Sequence, residues 1–157
     1  MTTPSYPSTR HILCLLLMFS VATFGMTQSA HDEMSKAVKA NNFSDLEWMP
    51  CPPPLDFEGC HIAVLHGNPA EANSDLLFRM QPGTTAPEHW HTSAERMVLI
   101  SGELHVTYTG EETQVMKAGT YAYGPSEKPH TAVCVGEDTC VLFIAFEKPV
   151  DSFVDDH

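Results

Sequence analysis

Two histidines, a glutamate and a third histidine carry the chemistry that this chain offers. The stretch Gly83-Thr-Thr-Ala-Pro-Glu-His89-Trp-His91-Thr-Ser-Ala-Glu95-Arg-Met-Val-Leu-Ile-Ser-Gly102 spaces its fixed residues as G-x5-H-x-H-x3-E-x6-G. Successive side chains of a strand point to opposite faces, so His89 and His91 share one face and Trp90 takes the other. Thr92, Ser93 and Ala94 are small or polar and allow a bend, after which Glu95 re-enters the same face at the start of an apolar run. The later segment Gly119-Thr-Tyr-Ala-Tyr-Gly-Pro125-Ser-Glu-Lys-Pro-His130 supplies His130 as a fourth ligand. Imidazole suits Zn, Cu, Fe and Ni, and carboxylate oxygen suits harder cations, so these groups converging on one point favour a divalent transition metal, with Fe, Mn, Ni and Zn as candidates. Tyr121 and Tyr123 share strand parity and precede His130. A phenol near a metal orients an oxyanion or donates a proton, which makes both tyrosines catalytic candidates. The plainer alternative is aromatic packing against the sheet.

The two segments resemble the two sequence motifs of the cupin superfamily. The first matches at every fixed position, and the second, G-x5-P-x-G-x2-H-x3-N, matches at Gly119, Pro125 and His130. It departs at Glu127, where the family usually has Gly, and at Cys134, where it often has Asn. The resemblance implies a metal held by His89, His91, Glu95 and His130, and a homodimer paired through edge strands. A barrel that has lost its metal is the plainer alternative.

Positioning such a set requires strands. Gly or Pro separates nearly every pair of short β-rich runs: Leu46–Trp48, Cys60–His66, Asp75–Met80, Arg96–Ile100, Leu104–Tyr108, Thr113–Met116, Tyr121–Tyr123, His130–Val135 and Cys140–Phe146. The run Pro50-Cys51-Pro52-Pro53-Pro54 is expected to forbid regular pairing and to form a stiff loop. Many short strands at this spacing, with no convincing helix among them, predict an all-β sandwich or barrel. Within that class the cupin resemblance implies an eight-stranded jelly roll. The expected fold is therefore a cupin-type jelly-roll barrel, or double-stranded β-helix, over residues 45–149. Met97 and Leu99 share parity with Glu95 and are expected to form an apolar wall. Arg79 either points into the cavity to hold an acidic substrate or snorkels to solvent. Glu88 is expected to be a solvated charge, and His61, His66 and His105 lack ligand spacing to one another.

The amino terminus reads differently. Arg10 precedes an apolar run from Ile12 to Gly25, and Thr27, Gln28, Ser29 and Ala30 follow. That is the layout of a secretory signal peptide over residues 1–30, with a run shorter than the ~20 apolar residues of a bilayer span. Residues 31–44 are expected to form a flexible arm or short helix, and residues 150–157 an acidic, frayed tail. Cys51, Cys60, Cys134 and Cys140 remain after cleavage, which implies two disulfides in an oxidising compartment. Proximity favours Cys51–Cys60 and Cys134–Cys140 among three connectivities, with a free Cys134 in the cavity as the alternative. The expected location is secreted or periplasmic. The chain carries 20 acidic and 8 basic residues, a formal charge of −12. Such a surface repels phosphate, which argues against nucleic-acid partners, and no membrane attachment is expected after signal cleavage.

Two functions of different class follow. The resemblance implies a metal-dependent enzyme, a dioxygenase, decarboxylase or isomerase acting on a small oxygen-rich molecule. The other is a non-catalytic module that binds a small ligand or holds a metal structurally, since four protein ligands close a tetrahedral zinc shell.

Overall fold

The computed structural model describes residues 43–154 and Ala37. The expected signal peptide, the expected arm up to residue 42 apart from Ala37, and the last three residues lie outside the described residues. Ten strands follow in chain order: β1 (Met49–Pro50), β2 (Cys60–His66), β3 (Ser74–Met80), β4 (Thr85–His89), β5 (Glu95–Ser101), β6 (Glu103–Tyr108), β7 (Gln114–Lys117), β8 (Tyr121–Gly124), β9 (His130–Val135) and β10 (Cys140–Phe146). They form a six-stranded sheet, β1-β2-β3-β10-β5-β8, and a four-stranded sheet, β4-β9-β6-β7. Every pairing is antiparallel. Among the described residues no helix is present, and the two sheets make the expected jelly roll.

Alternation explains how the sheets close on each other. From His91 to Leu99 every second residue is buried, and β6 continues the pattern at Leu104, Val106 and Tyr108. β9 adds Ala132 and Cys134, and β10 adds Leu142, Ile144 and Phe146. Each fully buried Leu or Met of this kind contributes about 1.5–3 kcal/mol of transfer free energy, so packing between the sheets dominates the fold. A smaller cluster, built on Ala63, Leu77 and Val141, covers the other face of the larger sheet together with Phe43, Leu46 and Trp48. Arg79 belongs to that outer face: its guanidinium stacks over Trp48 at 4.1 Å and does not enter the cavity.

One expected element shifts. The first strand is Met49–Pro50 rather than Leu46–Trp48, and it pairs with Ile62 and His61 of β2. Pro50 is tolerated because β1 is an edge strand and needs no amide donor on its open side. Cys51 is bonded to Cys60 and Cys134 to Cys140, as proximity favoured. Cys134 is therefore half of a buried staple and not a free thiol. The first motif ends at Gly102 for a steric reason: its φ is +80°, and a Cβ there would lie 2.9 Å from the backbone of Cys140.

The carboxyl-terminal segment also departs from expectation. Residues 151–153 are held against the barrel: Trp90 and Phe153 exchange both backbone hydrogen bonds, at 3.0 and 2.9 Å. Their rings stack with centroids 4.4 Å apart. The alternation that puts His89 and His91 inward puts Trp90 outward, where it receives this strap.

Candidate metal centre

The site is set by register. His89 of β4 lies directly opposite His130 of β9, and His130 is opposite Tyr108 of β6. Strict alternation would separate Ala86 and His89 onto opposite faces, yet both are buried. A bulge between them resolves this by inserting one extra residue into β4. Pro87 occupies the bulge, where a missing amide costs no ladder bond. The freed Pro87 carbonyl accepts from His89 Nδ1 at 2.7 Å. The same local irregularity thus turns the histidine inward and orients its ring.

The other two imidazoles are oriented in the same way. His130 Nδ1 donates to the Lys128 carbonyl at 3.2 Å, and His91 Nδ1 donates to the Asp151 carbonyl. A carbonyl oxygen only accepts, so each Nδ1 carries the proton and each neutral ring keeps its lone pair on Nε2. The three rings could hold a metal, since one nitrogen of each lies within 4.8 Å of the others. Glu95 enters from β5, 5% exposed. Its Oε1 is 3.6 Å from His91 Nε2 and its Oε2 is 3.8 Å from His130 Nε2.

Burial favours the neutral form of two of the imidazoles. Burial, reinforced by neighbouring His130, lowers the His89 pKa to about 3. Burial also lowers that of His130, against an opposing pull from the Glu95 carboxylate. Neutral rings with Nε2 lone pairs are the form that binds a metal, so the donor set fits a divalent ion.

Around these four residues a supporting layer fixes the loops. The Asp151 carboxylate accepts from the Thr92 amide at 2.9 Å and from the Thr92 hydroxyl. Ser93, fully buried, accepts from the amides of Glu147 and Lys148 at 3.0 and 3.2 Å. The Glu127 amide donates to the His91 carbonyl at 2.7 Å. Glu127 stands at φ +59°, which explains why glycine suits that place in the second motif.

A cavity of about 250 Å³ opens onto the site. Its walls are apolar, with Met97, Leu142 and Phe146 among them, and among the described residues no Lys or Arg lines it. Its exposed members are Pro52 and Pro53, which mark the side facing solvent. Leu99 is buried in the core but is not part of the wall, unlike Met97.

The two tyrosines proposed as catalytic lie elsewhere. Tyr121 and Tyr123 are 61% and 56% exposed. They pair with Val98 and Arg96, the outward residues of β5, while Glu95 and Met97 pair with Gly124 and Ala122. Their shared parity is correct, but it is the parity of the outer face. The phenol at the site is Tyr108, which is 3% exposed and whose ring centroid is 4.8 Å from that of His130. Its hydroxyl is buried without a hydrogen-bond partner. Burial and the nearby Glu95 carboxylate raise its pKa, so the phenol stays protonated. The signal for it was the alternation Leu104, Val106, Tyr108, which carries the inward face of β6 to its end. Glu88 is exposed, and its carboxylate accepts from the Thr109 hydroxyl at 3.2 Å.

Two antiparallel sheets around a triple-imidazole cluster define a cupin. The model of the ChrR cupin-like domain matches residues 36–149, and the chain belongs to that family. No curated protein matches it in sequence. Among solved structures it is similar to the DMSP lyase DddQ from Ruegeria pomeroyi DSS-3, at 14% identity and a TM-score of 0.61, over 71% of this chain and 61% of the lyase. It is also similar to oxalate decarboxylase from Bacillus subtilis, at 22% identity and a TM-score of 0.57, over 71% of this chain and 30% of that one. The polyketide cyclase RemF from Streptomyces resistomycificus aligns at 20% identity and a TM-score of 0.61, over 74% of this chain and 83% of the cyclase. The chain thus spans less than two thirds of the lyase and of the decarboxylase, and what these likenesses carry is the fold.

Proposed function

We propose that this chain is a secreted or periplasmic metal-dependent cupin enzyme in which His89, His91, Glu95 and His130 hold one divalent transition metal. The observation that carries the proposal is the shared orientation of the three rings. Each spends its Nδ1–H on a backbone carbonyl, one nitrogen of each ring lies within 4.8 Å of the others, and Nε2 of His91 and of His130 lies beside the buried Glu95 carboxylate. Such outer hydrogen bonds are how metal sites fix the tautomer and aim of their histidines. An ion bound there supplies Lewis acidity or a redox centre at the end of a shielded cavity. The chain's own residues orient the small molecule, exclude bulk water through apolar walls, and present the Tyr108 proton at Oη. A dioxygenase is one form of this activity, and the lyase and decarboxylase among similar structures keep other reaction types in view. The two disulfides support an oxidising compartment, in keeping with residues 1–30 as a signal peptide. Assembly as a homodimer belongs to the same reading.

A structural metal in a non-catalytic module is the competing reading. The cavity that reaches the ligands weighs against it, because a staple needs no access. Elemental analysis of the purified protein, followed by oxygen-uptake and ligand-binding assays, tests the proposal. One equivalent of Fe, Mn or Ni per chain is expected, lost in His91→Ala and His130→Ala with the far-UV spectrum retained. A chain without metal, or a closed zinc shell inert to added chelating ligands, overturns it.

A further inference from the structure

Resting on the metal centre proposed above, we infer that its ligand is a molecule with an apolar body and a single oxygen head, and that Tyr108 Oη is the hydrogen-bond donor that seats this head beside the metal. Charge balance gives the first half. At the metal itself a divalent ion and the Glu95 carboxylate leave one positive charge, which one anionic or strongly polarised oxygen group neutralises. Asp151, the other carboxylate of the lining, is tied to the Thr92 amide and hydroxyl and adds no cation. A second carboxylate on the same molecule would have no cation to meet, because among the described residues no Lys or Arg lines the cavity. Extra hydroxyl groups would lose water against walls such as Leu76, Met97, Ala132, Leu142 and Ile144. Beyond the metal ligands and Tyr108 the polar side chains of the lining are Ser152 and Asp151, and the Asp151 carboxylate is already engaged by Thr92. The volume, about 250 Å³, falls just below the ~300–1,000 Å³ of drug-sized ligand sites, so the body is short. The oxygen expected from the sequence is therefore confined to one end of the molecule.

Tyr108 gives the second half. A buried hydroxyl without a partner is a costly exception in a folded protein and calls for an account. Tyr108 Oη is such a hydroxyl, on a side chain that lines the cavity against His130. Gly124 makes its position possible: a Cβ there would lie 2.4 Å from Tyr108 Oη and 3.0 Å from Glu95 Oε2. The glycine of β8 thus leaves the space in which the phenol and the carboxylate approach each other, and an oxygen held near Glu95 takes the donated bond.

The test is calorimetric titration of the metal-loaded full chain with straight-chain monocarboxylates from acetate to hexanoate, and with glutarate and adipate as matched dicarboxylates. Affinity should rise roughly fourfold for each added methylene until the cavity is filled. Glutarate and adipate should bind at least about thirtyfold more weakly than pentanoate and hexanoate, because of the uncompensated second charge. Tyr108→Phe should weaken every monocarboxylate about tenfold or more, with the factor per methylene and the metal content unchanged. Gly124→Ala, whose Cβ would crowd the phenol most and Glu95 Oε2 less, should weaken the head in the same way when titrated at full metal occupancy, and serves if Tyr108→Phe does not fold. A flat chain-length series in a metal-loaded protein overturns the apolar body, and unchanged affinity in both variants overturns the role of Tyr108. A chain that binds no metal overturns the metal centre itself, a result that elemental analysis separates from the other two.

Discussion

Acidifying the metal-free protein should cost it stability through one side chain, His89. The unperturbed imidazole titrates near 6.5, whereas burial and the adjacent His130 hold His89 at about 3. Above the unfolded value both states carry a neutral ring and the residue makes no difference. Below it the unfolded chain takes up a proton that the folded chain refuses, so the stability present above pH ~6.5 is lost as the pH falls toward the folded value. At pH 5 an unfolded imidazole is almost fully protonated and folded His89 is neutral, a difference of about 2 kcal/mol. That is a sizeable part of the ~5–15 kcal/mol by which domains are stable. The burial of His130, whose pKa is lowered as well, acts in the same direction. The assay is urea unfolding of the chelator-treated protein at pH 7 and at pH 5, beside His89→Gln. Glutamine keeps an amide donor for the Pro87 carbonyl and does not titrate in this range. Wild type should lose about 2 kcal/mol more than the variant between the two pH values. Equal losses in both proteins would refute the reasoning, since His89 would then be free to protonate in the folded state.

Three further outcomes follow from the same structure. Replacing Cys51 and Cys60 together by Ser should lower stability by about 2–3 kcal/mol on loop-closure grounds and loosen the rim that carries Pro52 and Pro53, as urea unfolding and limited proteolysis would show. Ending the chain at Lys148 removes the Asp151 carbonyl from His91 Nδ1 and should weaken metal affinity about 10–100-fold in a chelator competition, with the jelly roll still formed. Glu127→Gly relieves a left-handed backbone at φ +59° and should raise stability by about 0.5–1 kcal/mol in thermal unfolding, because the relief outweighs the entropy that glycine loses.

What the sequence revealed depended on whether residue type or face decided the matter. Spacing and chemical type were enough to single out His89, His91, Glu95 and His130, and turn residues were enough to bound most strands. Parity alone was not enough for Tyr121 and Tyr123, because alternation says that two residues share a face without saying which face. Their register against Arg96 and Val98, known only from the paired sheet, settles it. Tyr108 was inward by the same alternation, but its nearness to His130 depends on a cross-strand match of residues far apart in the chain. The strap at Asp151 and Phe153 was illegible for another reason. Part of what holds it is backbone, which every residue possesses, and the rest is the Asp151 carboxylate and the Phe153 ring. Their partners Thr92 and Trp90 lie far back in the chain, so an acidic stretch with few apolar side chains read as a loose end. The β4 bulge was hidden because Pro87 marks an interruption without saying that the strand resumes on the other parity.

The place of β10 in the larger sheet has a consequence for biosynthesis. β3 and β5 are joined only through β10, which is made after both. While the ribosome is still adding residues 140–146, the two halves of that sheet have no shared neighbour, and their edges and apolar faces are open to wrong partners. The carbonyl that aims His91 arrives later still. Nascent chains should therefore need shelter until the last strand is released, and metal loading should be among the final events in the life of a new molecule.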